Sequence, residues 1–186
     1  MRDADDSEAW PLLPEWQVST WFNTPTPLRV ADLRGRVVLL HAFQMLCPGC
    51  VMQALPQAAR VHETLAKAGV AVIGLHTVFE HHDAMQPSAL AAFIHEYRLR
   101  FPIGVDAPAE QGPIPQTMQR LGLRGTPSCL LLDRRGRLRL QHFGALDDLA
   151  LGAALGRLLS ESDSELTATP REPSDDAGCT PEACPR

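Results

Sequence analysis

Cys47-Pro48-Gly49-Cys50 is the part of this chain best suited to chemistry. Two intervening residues let the second sulfur approach the first as a helix begins. A cysteine at a helix N-terminus faces unpaired backbone N–H groups and the positive end of the macrodipole, and both favour thiolate over thiol. Pro48 suits that first turn, because the N–H it lacks would have had no partner there. The other use of such a pair is half of a zinc site. That needs a second ligand pair folded beside it, and the body of the sequence offers none at typical zinc spacing. The pattern points to redox chemistry.

The elements that must hold this pair are legible around it. Val37 to Phe43 (VVLLHAF) is a short apolar, β-branched run, the signature of a strand buried on both faces. Cys47 to Ala68 has helix-forming composition, with Val51, Leu55, Ala58, Val61 and Leu65 recurring at spacings of three and four, and Gly69 suits its stop. Val70 to Leu75 reads as a second buried strand, and Ser88 to Leu99 as a helix entered at Ser88. Phe101 to Val105 reads as a strand and Gln116 to Leu121 as a short helix. Cys129 to Leu132 and Leu138 to Phe143 are strands joined by a hairpin turn at Asp133-Arg134-Arg135-Gly136, and Leu146 to Leu159 is a last helix. An edge-like strand at Gln17 to Phe22 precedes this βαβαβαββα run. Such an order predicts an α/β fold with a mixed sheet covered on both faces.

Composition bounds the rest. The chain has 186 residues, 45% of them hydrophobic and 21% charged, which suits one soluble domain with its own core. Residues 1–10 form an acidic N-terminus, 11–159 the folded body, and 160–186 a polar, Pro-rich tail that reads as flexible. The net charge of −5 belongs to the ends: residues 161–186 carry −5, residues 1–10 carry −3, and residues 11–160 carry +3. That balance argues against nucleic acid as a partner. No apolar run approaches the roughly 18 residues needed to cross a bilayer, so no membrane partner is expected. With Met1 taken as the natural start, the acidic N-terminus lacks the apolar stretch of a secretory signal, and the expected location is the cytoplasm. Paired cysteines there suggest redox catalysis or metal binding.

Gly125-Thr126-Pro127-Ser128, just before a strand, is the second chemical element. Together with the Cys-x-x-Cys it makes the sequence resemble the thioredoxin-like superfamily, in particular thiol-disulfide oxidoreductases of TlpA/ResA type, also described as AhpC/TSA or redoxin domains. The resemblance spans about Leu13 to Leu159. It rests on ADLRGRVVLLHAF before the Cys-x-x-Cys, LGLRGTP before a strand, LLLDRRGRLRLQHFG as the final hairpin, and a C-terminal helix. It implies a thioredoxin fold, a cis-Pro127 packed against the Cys-x-x-Cys, and a Thr126 backbone left to pair with an extended substrate segment. It also implies thiol–disulfide exchange with Cys47 as nucleophile and Cys50 as resolving thiol. The partners would be a disulfide-containing protein substrate and an upstream reductant, with no cofactor beyond the redox-active disulfide.

Two residues are candidate bases for Cys50. His41 lies in the apolar strand where thioredoxins commonly carry a buried Asp and TlpA-like proteins often an Asn; it reads equally well as a satisfied core histidine. Glu80 follows the next strand, near where ResA-like proteins place an acid; a solvated loop charge is the simpler reading. Leu46 stands where the family usually has Trp, so the surface around Cys47 differs in shape. His76, His81, His82 and Asp83 read as surface-loop residues rather than metal ligands, and Cys129 as a small core hydrophobe. Cys179 and Cys184, in the tail sequence Cys-Thr-Pro-Glu-Ala-Cys, fit a dithiol relay to Cys47, a soft-metal pair or inert thiols. The alternatives to an oxidoreductase are a thiol peroxidase of peroxiredoxin type and a non-enzymatic metal-handling thiol protein. The peroxidase pattern P-x-x-x-[TS]-x-x-C fits neither cysteine: counted back from Cys47 its positions hold Gln44 and Leu40, and from Cys50 they hold Cys47 and Phe43.

Overall fold

The structure, a computed structural model, describes residues 10–161. Most of the expected acidic N-terminus, and the tail with Cys179 and Cys184, lie outside the described residues. Six strands form one sheet: β1 (Val18–Phe22), β2 (Val37–Phe43), β3 (Val70–His76), β4 (Ile103–Asp106), β5 (Ser128–Leu132) and β6 (Leu138–Phe143). Their order across the sheet is β1-β4-β3-β2-β5-β6. The strands β2, β3 and β4 run parallel, while β1, β5 and β6 pair antiparallel to their neighbours. Helices α1 (Leu55–Leu65), α2 (Pro87–Glu96), α3 (Gln116–Arg120) and α4 (Asp148–Ser160) cover it.

The period-two alternation of β2 sorts the core. Val37, Leu39 and Phe43 face α1, α2 and α4, packing with Leu55, Ala58, Leu90, Ile94, Leu151 and Leu155. Val38, Leu40 and Ala42 face the other way, onto Leu13, Trp16, Val30, Leu33, Met118 and Leu123. Central strands buried on both faces must be apolar throughout, and all seven residues of β2 are buried.

Several boundaries differ from expectation for identifiable reasons. Gln17 does not join β1: its N–H donates to the Thr117 hydroxyl at 2.8 Å instead of to a strand. Helix α2 begins at Pro87, the first-turn position proline favours, rather than at Ser88. It stops at Glu96, short of Leu99, where Tyr97 caps it and Arg98 turns left-handed at φ 52°. Phe101 is buried but precedes β4, because Pro102 has no N–H for a ladder; its carbonyl still accepts from Gly74 at 2.9 Å. The helix after the Cys-x-x-Cys is not uniform: Cys50–Ala54 form a π turn, with the Leu55 N–H reaching back to the Cys50 carbonyl, before α1 proper.

Candidate active site

Strand β2 ends at Phe43, and the chain turns through Gln44, Met45 and Leu46 to deliver Cys47 at the sheet's C-terminal edge. Strand β5 runs antiparallel to β2 and begins at the same level, with Ser128 opposite Ala42. The Thr126–Pro127 segment that leads into β5 therefore meets the Cys-x-x-Cys, and its peptide bond is cis. The fit is close: a Cβ on Gly49 would lie 3.4 Å from Cδ of Pro127.

Cys47 is half-buried and Cys50 fully buried, and both are free thiols. The Cys47 N–H donates to the Gln44 carbonyl at 3.2 Å, which fixes the turn. The Cys50 N–H points at Cys47 Sγ at 3.4 Å, the contact a thiolate accepts, and the Cys47 thiol donates to the Thr126 carbonyl at 3.5 Å. Burial, reinforced by the adjoining Cys47 thiol, pushes the Cys50 thiol up to about 12, while the Gln44 main chain and Thr126 oppose that shift. One sulfur meets solvent beside the Thr126–Pro127 segment and the other stays protonated behind it. That asymmetry is the one a nucleophile and a resolving thiol would need.

The candidate bases are placed differently. His41 is buried on the α1 face of β2, between Gly74 of β3 and Cys129 of β5. Neither ring nitrogen has a hydrogen-bond partner. Burial pushes its imidazole down to about 4; the Gln57 side chain opposes that shift, although the two make no well-formed hydrogen bond. His41 is thus a core histidine, but not a satisfied one, and a weaker proton acceptor than free imidazole. Glu80 is exposed, and its Oε1 accepts from Gln44 Nε2 at 3.4 Å. Gln44 is 1% exposed; its side chain also accepts the Phe79 N–H at 3.3 Å, while its main-chain carbonyl holds the Cys47 N–H.

Gln44 is the residue that sequence reasoning missed. The available signal was a lone polar side chain between an apolar strand and the Cys-x-x-Cys. Phe143 was missed too. Its exposed ring lies across Gly125, where a Cβ would stand 2.9 Å from it, with the Arg124 guanidinium 5.4 Å from the ring centre. Leu46, next to Cys47 in the chain, is 55% exposed, so it and Phe143 both present apolar surface close to the Cys-x-x-Cys or the Thr126–Pro127 segment. His76 corrects the surface-loop reading: it ends β3, is fully buried, and packs on Phe43 with ring centres 5.3 Å apart. Cys129 is buried in β5, and burial pushes its thiol up to about 12, which makes it inert. Among the described residues no group of three or more His, Cys, Asp or Glu side chains is placed to hold a metal ion.

Comparison with known proteins agrees with this geometry. Residues 13–141 match the model of the AhpC/TSA family. A thioredoxin-like superfamily protein of known crystal structure is 54% identical, with a TM-score of 0.79 over 81% of this chain and 97% of that one. A thiol-disulfide isomerase from Corynebacterium glutamicum is 50% identical, with a TM-score of 0.79 over 83% and 99%. The Mycobacterium tuberculosis protein DipZ is 26% identical over 171 residues, 91% of this chain; the chain spans only 23% of DipZ's length. With a sheet, a cysteine pair and a Thr-Pro loop arranged in this way, the chain belongs to the AhpC/TSA family, among the thioredoxin-like thiol-disulfide oxidoreductases.

Proposed function

We propose that Cys47 and Cys50 reduce, or in reverse oxidise, disulfides of protein substrates. The Cys47 thiolate attacks one substrate sulfur; the substrate S–S bond breaks, one substrate thiolate leaves, and a mixed disulfide remains. Cys50 then loses its proton and attacks Cys47 Sγ, expelling the second substrate thiolate and closing the Cys47–Cys50 disulfide. The substrate gains two electrons, and an upstream dithiol restores the pair. Thr126 and Pro127 form the platform for an extended substrate segment, with Leu46 and Phe143 as its apolar rim.

The observation that carries this reading is the unequal burial of two adjacent thiols against the Thr126–Pro127 segment. His41, whose ring burial has made weakly basic, is a poor acceptor for the Cys50 proton; Glu80, which accepts from Gln44 three residues before Cys47, is the candidate base that remains, with water carrying the proton to it. Turnover of insulin disulfides with dithiothreitol tests the reading. Cys47→Ser should abolish it, and Cys50→Ser should accumulate a mixed disulfide visible by mass spectrometry. Undiminished turnover by Cys47→Ser would overturn it.

A further inference from the structure

We propose that Gln44 is a positioning residue for the resolving step: its side-chain amide stands in for the next rung of the β2–β3 ladder and so holds Glu80 in register with the Cys-x-x-Cys turn. This rests on the reading of Cys50 as the resolving thiol and deepens it, by naming what keeps the base in place.

The strands create the need for such a residue. β2 and β3 pair in parallel up to Phe43 and His76, and the Thr77 N–H adds one more bond, to the Phe43 carbonyl at 3.0 Å. In a continuing parallel ladder the Phe79 N–H would go to the main chain at Met45. The chain there has turned away to present Cys47, and the Gln44 carbonyl already accepts the Cys47 N–H. The Phe79 N–H goes instead to Gln44 Oε1 at 3.3 Å. A main-chain N–H can only donate, so it fixes which end of the amide faces it. Nε2 is left to face Glu80 Oε1, 3.4 Å away. That nitrogen has no lone pair to offer, so the carboxyl oxygen is the acceptor.

The same residue bears on both sulfurs. The Gln44 carbonyl holds the Cys47 N–H, and its main chain opposes the rise that burial imposes on the Cys50 thiol. Gln44 is 1% exposed, whereas Glu80 is exposed. A buried amide thus joins the turn that carries the thiols to the loop that carries the carboxylate.

In the resolving step Cys50 passes its proton through water to Glu80, and its sulfur bonds to Cys47 Sγ. The bond from Cys47 to the substrate sulfur breaks, and that sulfur leaves with the electron pair and takes up a proton. The cysteine pair is oxidised and the substrate reduced. Without the amide, Glu80 loses its tie to the turn, and the step depends on the ionised fraction of Cys50.

That difference has a pH signature. Once Cys47 is in the mixed disulfide, the other groups that bear on Cys50, the Gln44 main chain and Thr126, do not titrate. Buried His41, held down to about 4, stays neutral above pH 6. A carboxylate is an ionised base throughout pH 6–8, so an assisted step should run level there. An unassisted step waits for thiolate from a thiol pushed up to about 12, and climbs about tenfold per pH unit.

To test this, the reduced full chain is mixed with excess glutathione disulfide, quenched in acid at intervals and mapped by mass spectrometry. One time course then reports glutathionylation of Cys47 and its conversion to the Cys47–Cys50 disulfide. Gln44→Met keeps the length and loses the amide; Gln44→Asn keeps the amide one methylene short. Both should form the adduct within about twofold of the wild-type rate and convert it at least about tenfold more slowly at pH 7. Their conversion should climb with pH where that of the wild type is level. Glu80→Gln should show the same two changes. Gln44→Met/Glu80→Gln should be at most about twofold slower than the slower single variant, because both act through one contact. Equal slowing of both steps, a wild-type profile that already climbs, unchanged profiles in the Gln44 variants, or losses that multiply in the double variant overturn the assignment. In each of those cases a wild type that converts the adduct leaves the Cys-x-x-Cys reading standing. A wild type that forms neither adduct nor disulfide overturns that reading itself.

Discussion

Two buried polar regions of this protein are treated in opposite ways. At the end of β4, Asp106 is 4% exposed, yet its carboxylate accepts the Thr117 N–H at 2.8 Å, the Met118 N–H at 2.9 Å and the Thr77 hydroxyl at 3.0 Å. It thereby caps α3, whose own N-cap Pro115 provides no side-chain acceptor. On the α1 face, below the cysteine pair, His41 and His76 are as deeply buried, and none of their four ring nitrogens has a partner. The first arrangement offsets part of the desolvation of a charge with three donors and ties a helix to a sheet edge. The second leaves that cost standing. Unpaired buried groups are rare in folded proteins and call for an explanation; here they occur on β2, which leads into the Cys-x-x-Cys, and on its neighbour β3. Burial thus has a structural use in one place and a titratable vulnerability in the other.

The largest effect of any single substitution should come from breaking the satisfied region. Asp106→Ala strands three buried donors, each costing about 1–3 kcal/mol, so the variant should lose about 4 kcal/mol. Urea unfolding measures it, and a loss below about 1 kcal/mol would mean that the network contributes no more than exposed hydrogen bonds do. Asp106→Asn, which keeps one acceptor oxygen, should fall between.

Acid should act next, through the unsatisfied region. Burial holds both histidines down to about 4 in the folded state, against 6.5 when exposed. The unfolded chain then binds protons first, so stability is complete above pH 6.5 and falls as pH drops from 6.5 towards 4. At 1.36 kcal/mol per pKa unit, each histidine accounts for about 3 kcal/mol of that loss. Asp106 works the other way: burial raises its carboxyl despite its three donors, so acidification favours its folded form. Urea titrations at pH 7 and pH 4.5 should therefore show a steep acid limb. His41→Leu and His76→Leu should each flatten it, and an unchanged limb in both would show that the rings find partners after all.

How much of this was legible depended on whether local pattern or distant contact decides the outcome. Strands β2 and β6 have the bounds their residues predict, because an apolar β-branched run and a hairpin turn are local signals. The candidate pair Cys47 and Cys50 stands out by its spacing, and the Thr126-Pro127 segment by its position ahead of a strand. Gln44, Gln57 and Asp106 were not found, because their roles lie in partners far along the chain. Gln57, for example, donates to the Leu146 carbonyl at 2.9 Å and to Asp148 at 2.7 Å across 89 and 91 positions. His76 was misplaced because its strand runs one residue further than its apolar pattern. Pairing with Phe43 on β2, rather than residue type, carries β3 to that point.

The smallest effect sharpens the comparison by repeating the chemistry of Asp106 in water. Asp147 caps α4, accepting the Leu149 and Ala150 N–H groups at 2.9 and 3.1 Å, but it is exposed. When its carboxylate is removed, solvent can take up both donors, so Asp147→Ala should cost about 1 kcal/mol, an ordinary N-cap loss. Two carboxylates that each cap a helix, one buried and one wet, should then differ about fourfold in what they contribute. Urea unfolding of both single variants and the double variant reads that ratio directly. The two sites share no partners, so the losses should add within about 0.5 kcal/mol. A cost at Asp147 equal to that at Asp106 would place the value of such a carboxylate in the cap geometry itself, and burial would no longer distinguish the two regions.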